Sequence, residues 1–350
     1  MEEDYIKGRG AQFNAHNPFS TLSYVSDFIE GIDESMLTNP ARETFLDWPK
    51  KIVNKIDSPD LNLMYSVNPY QGCEHGCIYC YARNSHQYWG YSAGLDFETK
   101  LFIKRNAPEL LEKHFLSKNW RPAPISLSGN TDCYQPLEKE EKITRKLLSI
   151  FSMYKNPVGM ITKNSLILRD IDILKDLAAD NLVHVYISIT SLNEALRLKM
   201  EPRTATAKKR LQVVSELAKA GIPVGVMVAP IIPGLNNHEI PAIIKVAAEN
   251  GAMGIGYTLV RLNGSLKDIF KDWLVKNFED KASKVWNQIS EIHGGDVSDS
   301  KWGRRMKGSG PIADAVAQLF NTSRKKYMEG RSLPELDLTK FRKKGNYNLF

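Results

Sequence analysis

The chain has 350 residues, 42% hydrophobic and 25% charged, a composition of globular proteins with enough apolar material for one large core or two smaller ones. No apolar run reaches the ~18–20 residues of a membrane helix, Met1-Glu2-Glu3-Asp4 is acidic, and four cysteines are too few for a disulfide scaffold, so a cytoplasmic protein with no membrane partner is expected. The charge is uneven: residues 301–350 hold 12 basic and 4 acidic side chains while the preceding 300 hold 35 and 36, so the surplus of +7 bears on partners and not on fold.

In chain order, residues 1–60 form an irregular, polar extension punctuated by Gly8, Gly10, Pro18, Pro40 and Pro49, with one short helix expected near Asp33 to Phe45. Apolar, β-branched-rich runs bounded by turn residues then predict strands at Leu63–Val67, Ile125–Ser128, Val158–Thr162, Val183–Ile189, Val224–Ala229 and Gly254–Val260. Helical spacing of apolar residues predicts helices at Pro108–Leu116, Glu138–Tyr154, Ile171–Ala179, Ala205–Ala220 and Glu239–Asn250. Ala220-Gly221-Ile222-Pro223 is a helix stop with its glycine in the position past the last turn. Six near-continuous apolar strands separated by helices indicate a parallel α/β sheet, either open and doubly wound or an incomplete barrel; ligands of both bind at the carboxyl ends of the strands. From Ser265 onward two further helical stretches, Lys267–Ile292 and Pro311–Glu329, precede a basic tail. The expected divisions are 1–60, 61–264, 265–330 and 331–350.

The chemistry-bearing segment follows the first strand: Asn68-Pro69-Tyr70-Gln71-Gly72-Cys73-Glu74-His75-Gly76-Cys77-Ile78-Tyr79-Cys80-Tyr81-Ala82-Arg83. Its spacing is C-x3-C-x2-C, and Gly72 and Gly76 favour a loop that lets three thiolates converge. Structural zinc sites take four ligands, commonly as two C-x2-C pairs, and no second pair exists here. His75, inside the loop, is awkwardly placed as a fourth ligand and is expected in solvent. Three cysteines suit an iron–sulfur cubane with one iron left open, because a fully ligated cubane takes four thiolates.

C-x3-C-x-aromatic-C after the first strand of an α/β repeat resembles the signature of radical S-adenosylmethionine (SAM) enzymes, filled here by Cys73, Cys77, Tyr79 and Cys80. The resemblance implies a 4Fe–4S cluster on the three cysteines and SAM bound through the open iron. It also implies reductive cleavage of SAM to a 5′-deoxyadenosyl radical that abstracts hydrogen from substrate, and a reductant such as flavodoxin or ferredoxin. The fold implied is a partial (β/α)6 TIM-like barrel, here with an irregular N-terminal extension and a helical, basic C-terminal extension. Cys77-Ile-Tyr79-Cys80-Tyr81, then Asp132 after strand two, Thr162-Lys163 ending strand three, Ser188 ending strand four, Glu201-Pro202-Arg203-Thr204 and Val228-Ala229-Pro230-Ile231 resemble in order the spore photoproduct lyase branch. Tyr79, Tyr81, Asp132, Lys163, Ser188 and Arg203 are therefore candidate cofactor-binding residues; Asp132 and Ser188 suit polar groups of SAM, Lys163 and Arg203 its carboxylate. Glu201 and Arg203 also have the alternative of pairing with each other. Gly254-Ile-Gly256-Tyr257 would admit adenine close to the backbone, or pack.

One departure limits the resemblance. Lyases of that branch carry a hydrogen-donating cysteine at the end of strand two, where Gly129 stands here. Cys133 lies four residues further on, either as a catalytic hydrogen donor or as a buried small hydrophobe. A lyase-type relative of unknown substrate is expected, acting on nucleic acid in a repair-like reaction. The alternatives are modification of RNA, peptide or a small metabolite, or a non-catalytic iron–sulfur nucleic-acid-binding redox sensor. Lys301-Trp302-Gly303-Arg304-Arg305-Met306-Lys307-Gly308 interleaves basic and aromatic residues as a nucleic-acid contact does, against the reading of a solvated loop with a buried tryptophan. Phe341-Arg-Lys-Lys-Gly345 is expected to be a disordered tail. The terminal Asn346-Tyr347-Asn348-Leu349-Phe350 resembles the short peptides that bacterial repair proteins dock into the DNA sliding clamp; Leu349 and Phe350 packing onto their own domain is the other reading.

Overall fold

The computed structural model describes residues 5–19, 41–60 and 64–343. Its strands in chain order are β1 (Glu43–Leu46), β2 (Val53–Lys55), β3 (Tyr65–Val67), β4 (Tyr70–Gln71), β5 (Lys100–Ile103), β6 (Ile125–Leu127), β7 (Val158–Thr162), β8 (Val183–Ser188), β9 (Val224–Ile231) and β10 (Gly254–Leu259). The main sheet runs β10-β9-β8-β7-β6-β3-β2. All neighbours from β3 to β10 are parallel, and only β2 is antiparallel, on the β3 edge. The six parallel strands are those read from the sequence, joined in chain order, and β3 does not pair with β10, so the barrel stays open on one side.

The helices are α1 (Leu95–Thr99), α2 (Ala107–Leu116), α3 (Glu138–Glu141), α4 (Ile143–Tyr154), α5 (Ile171–Ala179), α6 (Glu194–Met200), α7 (Ala207–Lys219), α8 (Ile240–Glu249), α9 (Leu266–Asn277), α10 (Glu279–Ile292) and α11 (Pro311–Tyr327). Thr206 caps α7 by accepting from the Lys209 N–H at 3.2 Å, and Gly221, at φ +74°, ends it where an L side chain would be strained. The main core joins Val67, Leu127, Met160, Val185, Val226 and Leu259 of the strands to Leu111, Phe151, Leu174, Leu217 and Ile244 of the outer helices.

Four expectations are corrected. In the span expected to be helical near Asp33 to Phe45, Glu43–Leu46 is a strand paired in parallel with β5; residues 33–40 lie outside the described residues. The helix expected from Glu138 to Tyr154 breaks at Lys142, at φ +55°, and that from Lys267 to Ile292 breaks at Phe278, at φ −148°. The tail is not disordered as far as Lys343. It runs as a strap across the amino ends of the strands: Pro334 O lies 2.7 Å from His184 Nε2, Asp337 N donates to Asn181 O at 3.0 Å, and Arg342 N donates to Tyr154 O at 3.0 Å. Leu349 and Phe350 lie outside the described residues.

A second core backs the cysteine loop. It brings Ala11 and Ala15 of the N-terminal segment and Trp273, Val285 and Ile289 of α9 and α10 against Cys77, Ile78 and Tyr79. α9 and α10 are thus part of the site's foundation and not an appendage to it. No helix among the described residues is long and apolar enough to cross a membrane.

Candidate metal centre and cofactor site

The cysteine loop begins at β4, which turns away from the barrel to pair with β5. Gly72 and Gly76, at φ +79° and +66°, give it the left-handed turns that let it double back. Gln135 clamps the first turn by donating to Gly72 O at 3.0 Å and accepting from Glu74 N at 3.0 Å. The second turn is locked from behind. A Cβ on Gly10 would overlap the carbonyl oxygen of Gly76, so only glycine lets the N-terminal segment approach this closely. Arg83 and Glu98, both fully buried, pair at 2.5 Å, and Arg83 also donates to the carbonyls of Cys77, Ala93 and Gly94. Glu98 in turn accepts from the backbone N–H groups of Gly10 and Ala11 at 3.1 and 2.8 Å.

Within this frame Cys73 and Cys77 are buried and Cys80 is partly exposed. Burial pushes all three thiols up, and the charges of Cys77 and Cys80 raise Cys73 further, so the thiols lie within electrostatic reach of one another. No three His, Cys, Asp or Glu side chains among the described residues converge tightly enough to hold one metal ion. The donor set fits a thiolate-ligated cluster held by Cys73, Cys77 and Cys80: three cysteines of one short loop, with its backbone fixed from both sides.

Lys163, at the end of β7, places Nζ 5.8 Å from the centre of the Tyr79 ring and close enough to Cys77 and Cys80 to lower both thiols. Its ammonium has no hydrogen-bond acceptor or ion-pair partner among the described residues, which leaves it open to a carboxylate. Ser188, buried at the end of β8, gives its carbonyl to Arg210 at 2.8 Å and has no side-chain bond among the described residues. Arg203 is exposed and lies 3.7 Å from Glu74, its backbone N–H donating to His75 O. Tyr81 is 53% exposed and donates to Gly129 O at 2.6 Å.

Other candidates are engaged by the protein itself. Asp132 accepts from Thr162 Oγ1, Lys163 N and Tyr134 N at 2.8, 2.9 and 2.9 Å, and lies 3.3 Å from His75 Nδ1. Against burial, which raises it, His75 and these donors hold its carboxyl at about 2. His75, expected in solvent, is 1% exposed and braces the loop against Asp132. The Tyr79 hydroxyl donates to Glu201, which also accepts from Thr190 and Arg210. Glu201 therefore pairs with Arg210 and not with Arg203. Burial pushes Glu201 up, but Arg210 and Lys163 hold it down at about 2. Cys133 is not at the mouth. It is fully buried in the main core, its N–H donating to Ser128 Oγ and its carbonyl accepting from Thr144, as a small hydrophobe would sit. Gln135, Glu98 and Arg210 escaped sequence reading because each acts on the loop from a distant point of the chain; Arg83 sat within the cysteine segment, where its burial gave no sequence signal.

The family model described as the radical SAM superfamily matches residues 67–247. An uncharacterized protein of Mycobacterium tuberculosis is 29% identical over 238 residues, covering 67% of this chain and 70% of the relative. An uncharacterized protein of Methanocaldococcus jannaschii is 28% identical over 242 residues, covering 69% and 86%. Among solved structures, spore photoproduct lyase complexed with dinucleoside spore photoproduct aligns with a TM-score of 0.61 over 82% of this chain and 80% of that one, at 15% identity, a likeness of fold. The matched span begins at the end of the first barrel strand, takes in the whole cysteine loop and Lys163, and ends within α8; the chain belongs to the radical SAM superfamily, which works with a 4Fe–4S cluster and SAM.

Proposed function

We propose that this radical SAM enzyme cleaves SAM reductively and abstracts hydrogen from a nucleic-acid substrate, in the cytoplasm, with its electron delivered by a small carrier such as flavodoxin or ferredoxin. One observation supports the site most: Lys163 reaches over the ring of Tyr79 in the clamped loop, close to Cys77 and Cys80, with no hydrogen-bond acceptor or ion-pair partner among the described residues. When bound, the cluster and SAM supply an electron and, from SAM cleavage, a 5′-deoxyadenosyl radical. The chain's own residues do the rest. Cys73, Cys77 and Cys80 ligate, Lys163 and the more exposed Arg203 receive the carboxylate of SAM, and Ser188 offers a hydroxyl at the next strand end. Tyr79, anchored through Glu201 to Arg210, keeps the last turn of the loop from shifting under Lys163.

Nucleic acid as substrate is supported by exposed Trp302 among basic residues, and by the fold likeness to an enzyme solved with a dinucleoside photoproduct. With Gly129 at the strand-two position and Cys133 in the core, no protein thiol stands ready to return hydrogen, so the reaction we propose is abstraction without thiol-based repair. The experiment is anaerobic incubation of the reconstituted chain with SAM, a reductant and deuterated oligonucleotide. Deuterium in the recovered 5′-deoxyadenosine is expected; unlabelled 5′-deoxyadenosine with every DNA and RNA oligomer tried sinks the nucleic-acid reading.

A further inference from the structure

Two exposed rings and two arginines lie along the open side of the barrel: Tyr81, also a candidate for the cofactor, with Arg261, and Trp302 with Arg305. Tyr81 is 53% exposed and fixed by its bond to Gly129 O. The Arg261 guanidinium, just past β10, lies 6.0 Å from the centre of that ring. Arg261 is half-buried and has no hydrogen-bond or ion-pair partner among the described residues. The acids near it are committed elsewhere: Asp60 to Gly303 and Arg305, Asp299 to Arg304, Lys301 and His293. Burial and the neighbouring Arg305 lower Arg261, while Tyr81, Asp60 and Asp299 act the other way without bonding to its guanidinium.

Trp302 is 53% exposed. The Arg305 guanidinium lies 3.7 Å from the centre of its ring, and Arg305 is itself tied to Asp60 Oδ2 at 2.6 Å and Ser58 Oγ at 2.6 Å. Arg305 is thus a fixed plate behind the indole, leaving the other face to solvent. These bonds link the chain after β2 to the chain after β10, the two edges of the open sheet, and so set the strip across the barrel's gap. A cation partly withdrawn from water costs stability unless an anion reaches it. A phosphate at Arg261 with a planar base on Trp302 satisfies both groups, and stacking on an exposed ring requires a base that is not paired within a duplex.

We propose that Arg261 and Trp302 form a substrate subsite in which Arg261 receives a phosphodiester and the free face of Trp302 stacks an adjacent unpaired base. The proposal rests on the nucleic-acid reading above and says how that substrate is held. The test is fluorescence anisotropy of a labelled single-stranded oligothymidylate of about eight nucleotides, with thymidine 5′-monophosphate as competitor, on the anaerobically reconstituted full chain. Arg261→Gln and Trp302→Ala are each expected to raise Kd about tenfold, with iron content and far-ultraviolet circular dichroism as folding controls. Trp302→Phe is expected to keep most of the affinity, and Arg261→Gln to reduce the salt slope by about one. Oligomer binding by the intact chain that neither variant weakens would overturn the subsite and leave the nucleic-acid reading standing. Absence of oligomer binding by the intact chain, or equal competition by the mononucleotide, would overturn the reading and the subsite with it.

Discussion

Lys163 and Cys133 separate, residue by residue, what residue type alone left open. Both follow strand ends, yet one holds its ammonium over Tyr79 with no ion-pair partner among the described residues while the other is sealed in the core. Lys163→Ala should weaken SAM binding about tenfold or more, the loss of one charge-assisted contact of about 1.5–3 kcal/mol, with iron content retained. Cys133→Ala should keep both iron and SAM cleavage and cost about 1 kcal/mol for a small cavity. Equilibrium binding of SAM and chemical denaturation check the pair; loss of turnover in Cys133→Ala with its iron intact would return that cysteine to the mechanism. Glu201 carries a pH signature. Its carboxyl is held at about 2, below the ordinary 4.5, so its contribution is complete above pH ~4.5 and is lost as pH falls toward 2. Glu201→Gln should flatten that acid slope and, by leaving Arg210 buried without its anion, destabilise the fold by about 3–5 kcal/mol. Acid-titrated unfolding of the two proteins measures both effects.

At the scale of elements, the six barrel strands were legible because each is a short, largely apolar run bounded by turn residues, and the cysteine loop because its spacing is short and local. The structures that hold the loop were not. Gly10 meets Gly76 across 66 residues of chain, and Arg83 meets Glu98 in a core that no periodicity announces. The strap from Arg331 to Lys343 is polar, so composition made it a tail, yet its bonds run from backbone to the barrel's lower rim. The small sheet of β1, β5 and β4 escaped notice because four-residue and two-residue strands leave no pattern. Gly10→Ala tests the clamp. Its Cβ meets backbone, which cannot give way as a side chain can, so the variant should lose the N-terminal contact and bind less iron. Gly8→Ala, with open space around it but φ +82°, should cost about 1 kcal/mol and leave iron content unchanged. Equal iron content in the two variants would mean that the N-terminal segment does not support the loop.

Across the whole molecule, the charge surplus near the C-terminus has two destinations. Arg304 and Arg305 are spent on Asp299 and Asp60, Arg331 donates to the carbonyls of Ala248 and Ala252, and Lys343 donates to Ser117 O. These basic side chains fasten the end of the chain to the barrel. Others, Lys301, Lys307 and the Arg324–Lys326 run at the end of α11, remain exposed. We propose that Cys73, Cys77 and Cys80 make the reactive centre. This is tested most directly by 5′-deoxyadenosine formed from SAM under anaerobic reducing conditions, comparing the reconstituted chain with Cys80→Ala. Product is expected from the intact chain and none from the variant. Product from Cys80→Ala at the intact rate, or none from an intact chain carrying its full iron, would contradict it.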